Sequence, residues 1–163
     1  MRLDIQELQA NDGTTLGFDF SLPLDKALAD YVDGTASVKG TVANHGGFLL
    51  LESGVSVSAK GVCARCGELF DTSHSFTVSR PVARELNEEN DEYILTDEDG
   101  FLDLEGVFSE ELLLELPTKL LCREDCKGLC PKCGKNLNRG ACGCSQKEID
   151  PRLEVLKALL NNG

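Results

Sequence analysis

The sequence predicts an α+β chain: a mostly antiparallel β-region with flanking helices, then a small cysteine-rich segment and a terminal helix. Three observations predict it. Between residues 35 and 80, apolar and polar residues alternate in runs separated by glycine-containing turn signals. Around residues 104–116 and 153–160 the apolar spacing becomes helical. Eight cysteines fall as an early pair, Cys63 and Cys66, and a late set of six, Cys122, Cys126, Cys130, Cys133, Cys142 and Cys144. The expected division is a β-rich domain over 1–121, holding the first pair and an acidic loop, and a cysteine-rich segment with its helix over 122–163.

The elements are justified in chain order. "MRLDIQEL" and "TLGFDFSL" read as two strands joined through Asn11-Asp12-Gly13, because an Asp-Gly step favours a turn with positive φ. Pro23 starts a short helical pattern with Leu24, Leu28 and Tyr31. Val38, Gly40 and Val42 alternate, "NHGG" turns, and "FLLLE" is a short buried run. Ser53-Gly54 reads as another turn, after which Val55, Val57 and Ala59 alternate up to Gly61. "CARCG" then lies in the bend before a strand with Phe70, Phe76 and Val78. "ARELNEENDE" is a polar, acidic loop, and "YILTDEDGFLDL" reads as a hairpin around Glu98-Asp99-Gly100. Asp103 can cap a helix carrying Val107, Phe108, Leu112 and Leu116, which Pro117 ends. Asp150-Pro151 opens the last helix, with Leu153, Leu156, Leu159 and Leu160 on one face, suited to packing on the domain.

At 163 residues and 41% apolar content the chain can bury a core as one domain, or one domain with a small appendage. The formal net charge is −12. A uniformly acidic surface repels phosphate backbones, so general affinity for nucleic acid is not expected. The charge is uneven, however. Arg84 to Glu115 holds thirteen acids and one base, whereas Lys119 to Arg152 holds eight bases and four acids. The cysteine-rich segment is the one basic part of an acidic chain. Both runs are compatible with simple solubility; the sharper reading gives one face to a basic protein and the other to RNA.

Paired cysteines point to a metal or to disulfides. No signal-type apolar region opens the chain and no apolar run is long enough to span a bilayer, so the expectation is a cytosolic protein without a membrane partner. In that compartment paired cysteines favour metal over disulfides, with zinc ahead of iron–sulfur or redox chemistry. Tetrahedral Zn²⁺ takes four thiolates, and eight cysteines make two closed sites. Cys130-Pro131-Lys132-Cys133-Gly134 is a strong zinc-knuckle signal, and Cys142-Gly143-Cys144 lies close enough to complete its site. Cys63, Cys66, Cys122 and Cys126 then form the other set. A second division gives Cys126 to the later site and leaves Cys142 or Cys122 free; spacing is compatible with both. Four thiolates leave no open position for water or substrate, so both sites read as structural. His45, in a turn, and His74, in a strand, are the only histidines, and read as surface or hydrogen-bonded side chains rather than ligands. No P-loop, GxGxxG, GxSxG or HExxH occurs, so the expectation is a chain without catalytic residues.

Taken in order, "CARC", the acidic loop, "LELPTKLLC", "CKGLCPKCGKNLNRGACGC" and the closing "DPRLEVLKALL" resemble the YceD family, the bacterial and plastid large ribosomal RNA subunit accumulation proteins. The resemblance covers nearly the whole chain, and "CKGLCPKCGKNLN" is its most specific part. It implies a non-enzymatic role in ribosome biogenesis in the cytosol, with a pre-ribosomal large-subunit particle, a ribosomal protein or ribosomal RNA as partner. The family's motif cysteines fall here at Cys63, Cys66, Cys126, Cys130, Cys133, Cys142 and Cys144; Cys122 stands outside that set. Two other functions fit the same residues: an RNA-processing enzyme or nuclease, and a zinc-stabilised adaptor that touches no RNA.

Overall fold

The structure, a computed structural model, describes residues 1–24, 30–85 and 92–144. Strand β1 (Arg2–Asp4) leads into helix α1 (Gln6–Ala10) and strand β2 (Thr15–Pro23). Three strands of 15 residues come next: β3 (Tyr31–His45), β4 (Phe48–Val62) and β5 (Leu69–Ala83). Short strands β6 (Ile94–Leu95) and β7 (Phe101–Asp103) precede helix α2 (Leu104–Glu115). The class is α+β.

The main sheet has the order β2-β3-β4-β5-β6, antiparallel throughout except for the parallel β5–β6 pair, and β1 pairs with β7 in a separate two-stranded sheet. Strict alternation builds the core. Along β4, Leu49, Leu51, Val55, Val57 and Ala59 are buried while Glu52, Gly54, Ser56, Ser58 and Lys60 are exposed. Period-two alternation of this kind places those five apolar side chains on one face. That face is covered by Ile5 and Leu8 from the N-terminal segment and by Leu104, Phe108 and Leu112 of α2. Phe108 is fully buried and meets Phe18 and Phe20 at ring-centroid distances of 6.0 and 5.9 Å. Burying such a ring contributes about 1.5–3 kcal/mol.

Several sequence expectations are corrected. Gln6–Ala10 is helical, and β1 pairs with β7 rather than with β2, so no hairpin opens the chain. Ile5 and Leu8 are both buried three positions apart, a helical spacing that outweighs the strand-like look of "MRLDI". Ser53-Gly54 is no turn: Gly54 pairs with Lys39 and with Thr77 in mid-strand. The turn at Glu98-Asp99-Gly100 exists, with Asp97 Oδ1 accepting from the Asp99 and Phe101 N–H groups, but its two arms join different sheets. Asp103 is the N-cap residue of α2 yet makes no side-chain cap hydrogen bond. Tyr31 begins β3, and the rest of the short helix expected after Pro23 lies largely outside the described residues. So do most of the acidic loop and the whole terminal helix.

The cysteine-rich segment is anchored at the end of the sheet that carries the β4–β5 turn. After α2, Pro117 ends the helix and the chain returns to the sheet. Leu120 is buried against Gly61, where any β-carbon would overlap the Leu120 Cδ1 atom. The Leu120 carbonyl accepts from the Ala64 N–H at 2.8 Å. Cys122 is thereby delivered beside the β4–β5 turn.

Candidate metal centres

Two CxxCG turns share one local design. In the first, joining β4 to β5, the Cys63 N–H donates to the Glu68 carbonyl at 2.9 Å and the Gly67 N–H to the Cys63 carbonyl at 2.8 Å. In the second, the Cys130 N–H donates to the Lys135 carbonyl and the Gly134 N–H to the Cys130 carbonyl, both at 2.9 Å. Gly67 and Gly134 hold φ of +70° and +71°, a conformation that costs other residues a steric penalty. Each turn folds its cysteine pair inward and frees N–H groups to face sulfur.

Around each turn the sulfurs gather by fours. Cys63, Cys66, Cys122 and Cys126 form one set and Cys130, Cys133, Cys142 and Cys144 the other, with all sulfurs of a set within 4.8 Å of one another. The spacing between sulfurs is informative. Cys63 Sγ lies 3.8 Å from Cys126 Sγ, and Cys66 Sγ lies 3.7 Å from Cys122 Sγ. A tetrahedral Zn²⁺ with Zn–S bonds of about 2.3 Å requires sulfur–sulfur edges of about 3.8 Å. A disulfide needs about 2.05 Å, and all eight cysteines are free. Both tetrads are therefore positioned to hold a metal ion, and Cys122, which the resemblance left outside, stands among the sulfurs of the first. Among the described residues neither histidine joins such a group. His74 Nε2 instead lies 3.3 Å from the Tyr31 hydroxyl and 3.1 Å from the Thr72 hydroxyl.

The two centres differ in burial. Cys63, Cys66 and Cys126 are buried and pack with Phe70, while Cys122 is half-buried at a cleft lined by Leu69, Phe70, Arg123 and Asn138. In the second centre only Cys130 is buried, and Cys133 is exposed.

The thiols are electrically graded. Burial raises the Cys63 thiol, but N–H groups of Cys122, Cys66 and Arg65 more than offset it and bring its pKa to about 6. Cys130 also falls to about 6, through the N–H groups of Cys133 and Lys132 and the Cys142 side chain. Burial and the crowded sulfurs of Cys63, Cys126 and Cys66 push Cys122 up to about 12. Cys144 reaches about 12 as well, first through Cys133 and then through burial. Like charges at these distances cannot all ionise without a cation between them.

Sequence reasoning missed the supports around the sulfurs. Asn138 Nδ2 donates to Cys126 Sγ at 3.2 Å and lowers that thiol's pKa, while its Oδ1 accepts from the Lys127 N–H at 2.8 Å. Asn138 lies between Cys133 and Cys142, so a loop of the second centre holds a sulfur of the first. Asn136 Oδ1 accepts from the Asn138 N–H at 2.9 Å, in a short 3₁₀ turn over Leu137–Arg139. Arg65 Nη1 donates to the Glu124 and Cys126 carbonyls at 3.1 and 3.0 Å, and its own carbonyl accepts from the Leu129 N–H. Arg139 forms an ion pair with Glu68, and Lys135 Nζ donates to the Ala141 carbonyl at 2.9 Å. The one available signal was "KNLN": two asparagines two positions apart, suited to local side-chain-to-backbone bonds.

The chain is similar to known proteins across the region that holds the tetrads. The family described as large ribosomal RNA subunit accumulation protein YceD matches residues 51–160, a span that contains all eight cysteines. Uncharacterized proteins of Mycobacterium bovis and Mycobacterium tuberculosis are 33% identical over 118 residues, covering 69% of this chain and 56% of theirs. The chloroplastic large ribosomal RNA subunit accumulation protein YCED homolog 1 of Arabidopsis thaliana is 37% identical over 49 residues, covering 30% of this chain and 15% of that protein. The uncharacterized protein YlbN of Bacillus subtilis is 35% identical over 74 residues, covering 45% of this chain and 42% of that protein. The chain thus spans little more than half the length of the mycobacterial relatives. No solved structure matches it.

Proposed function

The chain belongs to the YceD family of large ribosomal RNA subunit accumulation proteins, and we propose that it is a non-enzymatic ribosome biogenesis factor stabilised by two structural zinc ions. The observation that carries this reading is the match across residues 51–160, which takes in both sulfur tetrads. Zinc is the metal the donor set favours: four thiolates at tetrahedral edge distances close the coordination sphere and suit a soft, redox-silent ion. A closed sphere offers neither an open Lewis-acid position nor a bound water, so the metal's task is to hold backbone. In the first centre it ties the β4–β5 turn to the segment after α2 through Cys122 and Cys126. In the second it fixes the loop that holds Asn138 and the cysteines beyond. On this reading the chain acts in the cytoplasm, which the assembly role supports. Among the described residues no helix is long and apolar enough to cross a membrane.

The working partner is a large-subunit assembly particle. Between its two kinds of component, the acidity of the chain favours a ribosomal protein over exposed RNA. The basic side chains near the sulfurs are also partly engaged already, Arg139 by Glu68 and Lys135 by the Ala141 carbonyl. Depleting the protein in its host tests the proposal. Large-subunit ribosomal RNA should fall relative to small-subunit ribosomal RNA and recover with the intact chain. An unchanged ratio would overturn it.

A further inference from the structure

Helix α2 is apolar on more than one side. Its inner face is spent on the core, through Leu104, Phe108 and Leu112. Surface helices ordinarily turn a polar face outward. Here Leu113 and Leu114 are 45% and 73% exposed, so two adjacent leucines stand in solvent. They share the outward face with Glu110, at the i, i+3 and i+4 positions of a helical surface. Isolated exposed leucines need no explanation, but a pair at the end of a helix with a filled core face does.

Charge says what kind of partner the pair fits. The helix carries Glu105, Glu110, Glu111 and Glu115 and no base. Glu111 is buried and engaged by Arg80 at 3.4 Å, and Glu105 by the N-terminal amine at 2.9 Å. Glu110 and Glu115 are exposed and make no ion pair among the described residues. The stretch leading to this helix is part of the run with thirteen acids and one base. A leucine pair bracketed by free carboxylates complements a segment rich in lysine or arginine that carries aliphatic anchors. It disfavours phosphate and a second acidic copy of this chain by the same charge argument.

We propose that the outward Leu113–Leu114 face of α2, bracketed by Glu110 and Glu115, docks a basic protein segment with aliphatic anchors. The inference rests on the proposed assembly role only in taking that segment to belong to a large-subunit ribosomal protein. The leucines supply desolvated contact at the centre, and the carboxylates steer the approach and fix orientation.

A photo-reactive phenylalanine analogue in place of Leu114 tests this directly, with RNA-free proteins extracted from the host's large ribosomal subunits as the probe. The expected result is a cross-link to a lysine- or arginine-rich segment of one such protein, reduced about tenfold by Glu110→Lys with Glu115→Lys. The same analogue placed at Glu52, on the open sheet face, should give no such product. Cross-links confined to residues 145–163 of the same chain, to a second copy, or formed equally in the charge-reversed variant would overturn the proposal. A second readout separates it from the assembly role. Leu113→Ser with Leu114→Ser removes only exposed side chains, so the fold is retained and thermal unfolding verifies it. If that variant restores large-subunit ribosomal RNA as well as the intact chain does, the docking site is wrong while the assembly role stands. If the intact chain has no effect on that RNA, the assembly role fails, and the cross-link alone judges the site.

Discussion

Asn138 shows how much a single side chain outside the ligand set can do. Its amide donates to Cys126 Sγ and accepts from the Lys127 N–H, so it both favours the thiolate and fixes the chain on which that sulfur rides. Hydrogen bonds of this kind around a metal ligand are typically worth about 10–100-fold in metal affinity. Asn138→Ala should therefore speed transfer of one of the two metals to a competing chelator by a factor in that range. Transfer at the wild-type rate for both would show that the contact contributes nothing. The thiols themselves set a pH dependence. Cys63 and Cys130, at about 6, lie below the usual thiol value. Their contribution to the metal-free fold is present above that usual value and is lost as pH falls through about 6. Cys122 and Cys144, pushed up to about 12, act oppositely and still carry protons at neutral pH. Metal must displace those protons, so loading at neutral pH should release at least one per centre. Affinity should fall with falling pH, more steeply below about 6, where Cys63 and Cys130 compete for protons as well. Calorimetric titration in buffers of different ionisation enthalpy measures the release; a heat independent of buffer would contradict the assignment.

At the scale of elements, the two centres are linked but unequal. The first joins the β4–β5 turn to Cys122 and Cys126, more than fifty residues away in sequence. The second closes over residues 130–144 alone. Cys130→Ser should raise hydrogen exchange across that loop. Through Asn138, and through the Leu137 N–H bond to the Gly128 carbonyl, it should also raise exchange around Cys126. The β3–β4–β5 ladder should keep its protection. Cys63→Ser should loosen both centres and the adjoining ends of β4 and β5. Equal loss of protection in the two variants would refute this order. Legibility in the sequence divides along the same line between local and distant. The alternation of β3 to β5 and the CxxC bend between β4 and β5 could be read because period-two burial and a knuckle are local patterns. Gly54 misled because a Ser-Gly step is usually punctuation, whereas here Gly54 lies on the open face of a continuous strand and Ser53 is buried on its core face. β6 and β7 misled because a true turn connects them while their partners, β5 and β1, belong to different sheets. Arg65 and Asn138 were invisible as supports because their roles depend on bringing distant loops together.

For the whole molecule, the β-sheet core and the basic cysteine-rich segment meet where the sulfurs of the first centre gather. The cluster at the junction is Cys63, Cys66 and Cys126 with Phe70 and Cys122 packed against it. Structural zinc contributes apparent free energies of about 10 kcal/mol or more in small sites, comparable to the stability of an entire domain. On the proposed zinc reading, the arrangement of the chain should depend on metal occupancy. Native mass spectrometry with elemental analysis, on protein purified without added metal, tests this most directly. The expected result is two zinc ions per chain, with all eight cysteines reduced and reactive towards alkylating reagents only after the metal is removed. One zinc per chain, a mass deficit from disulfides, or iron in place of zinc would contradict it.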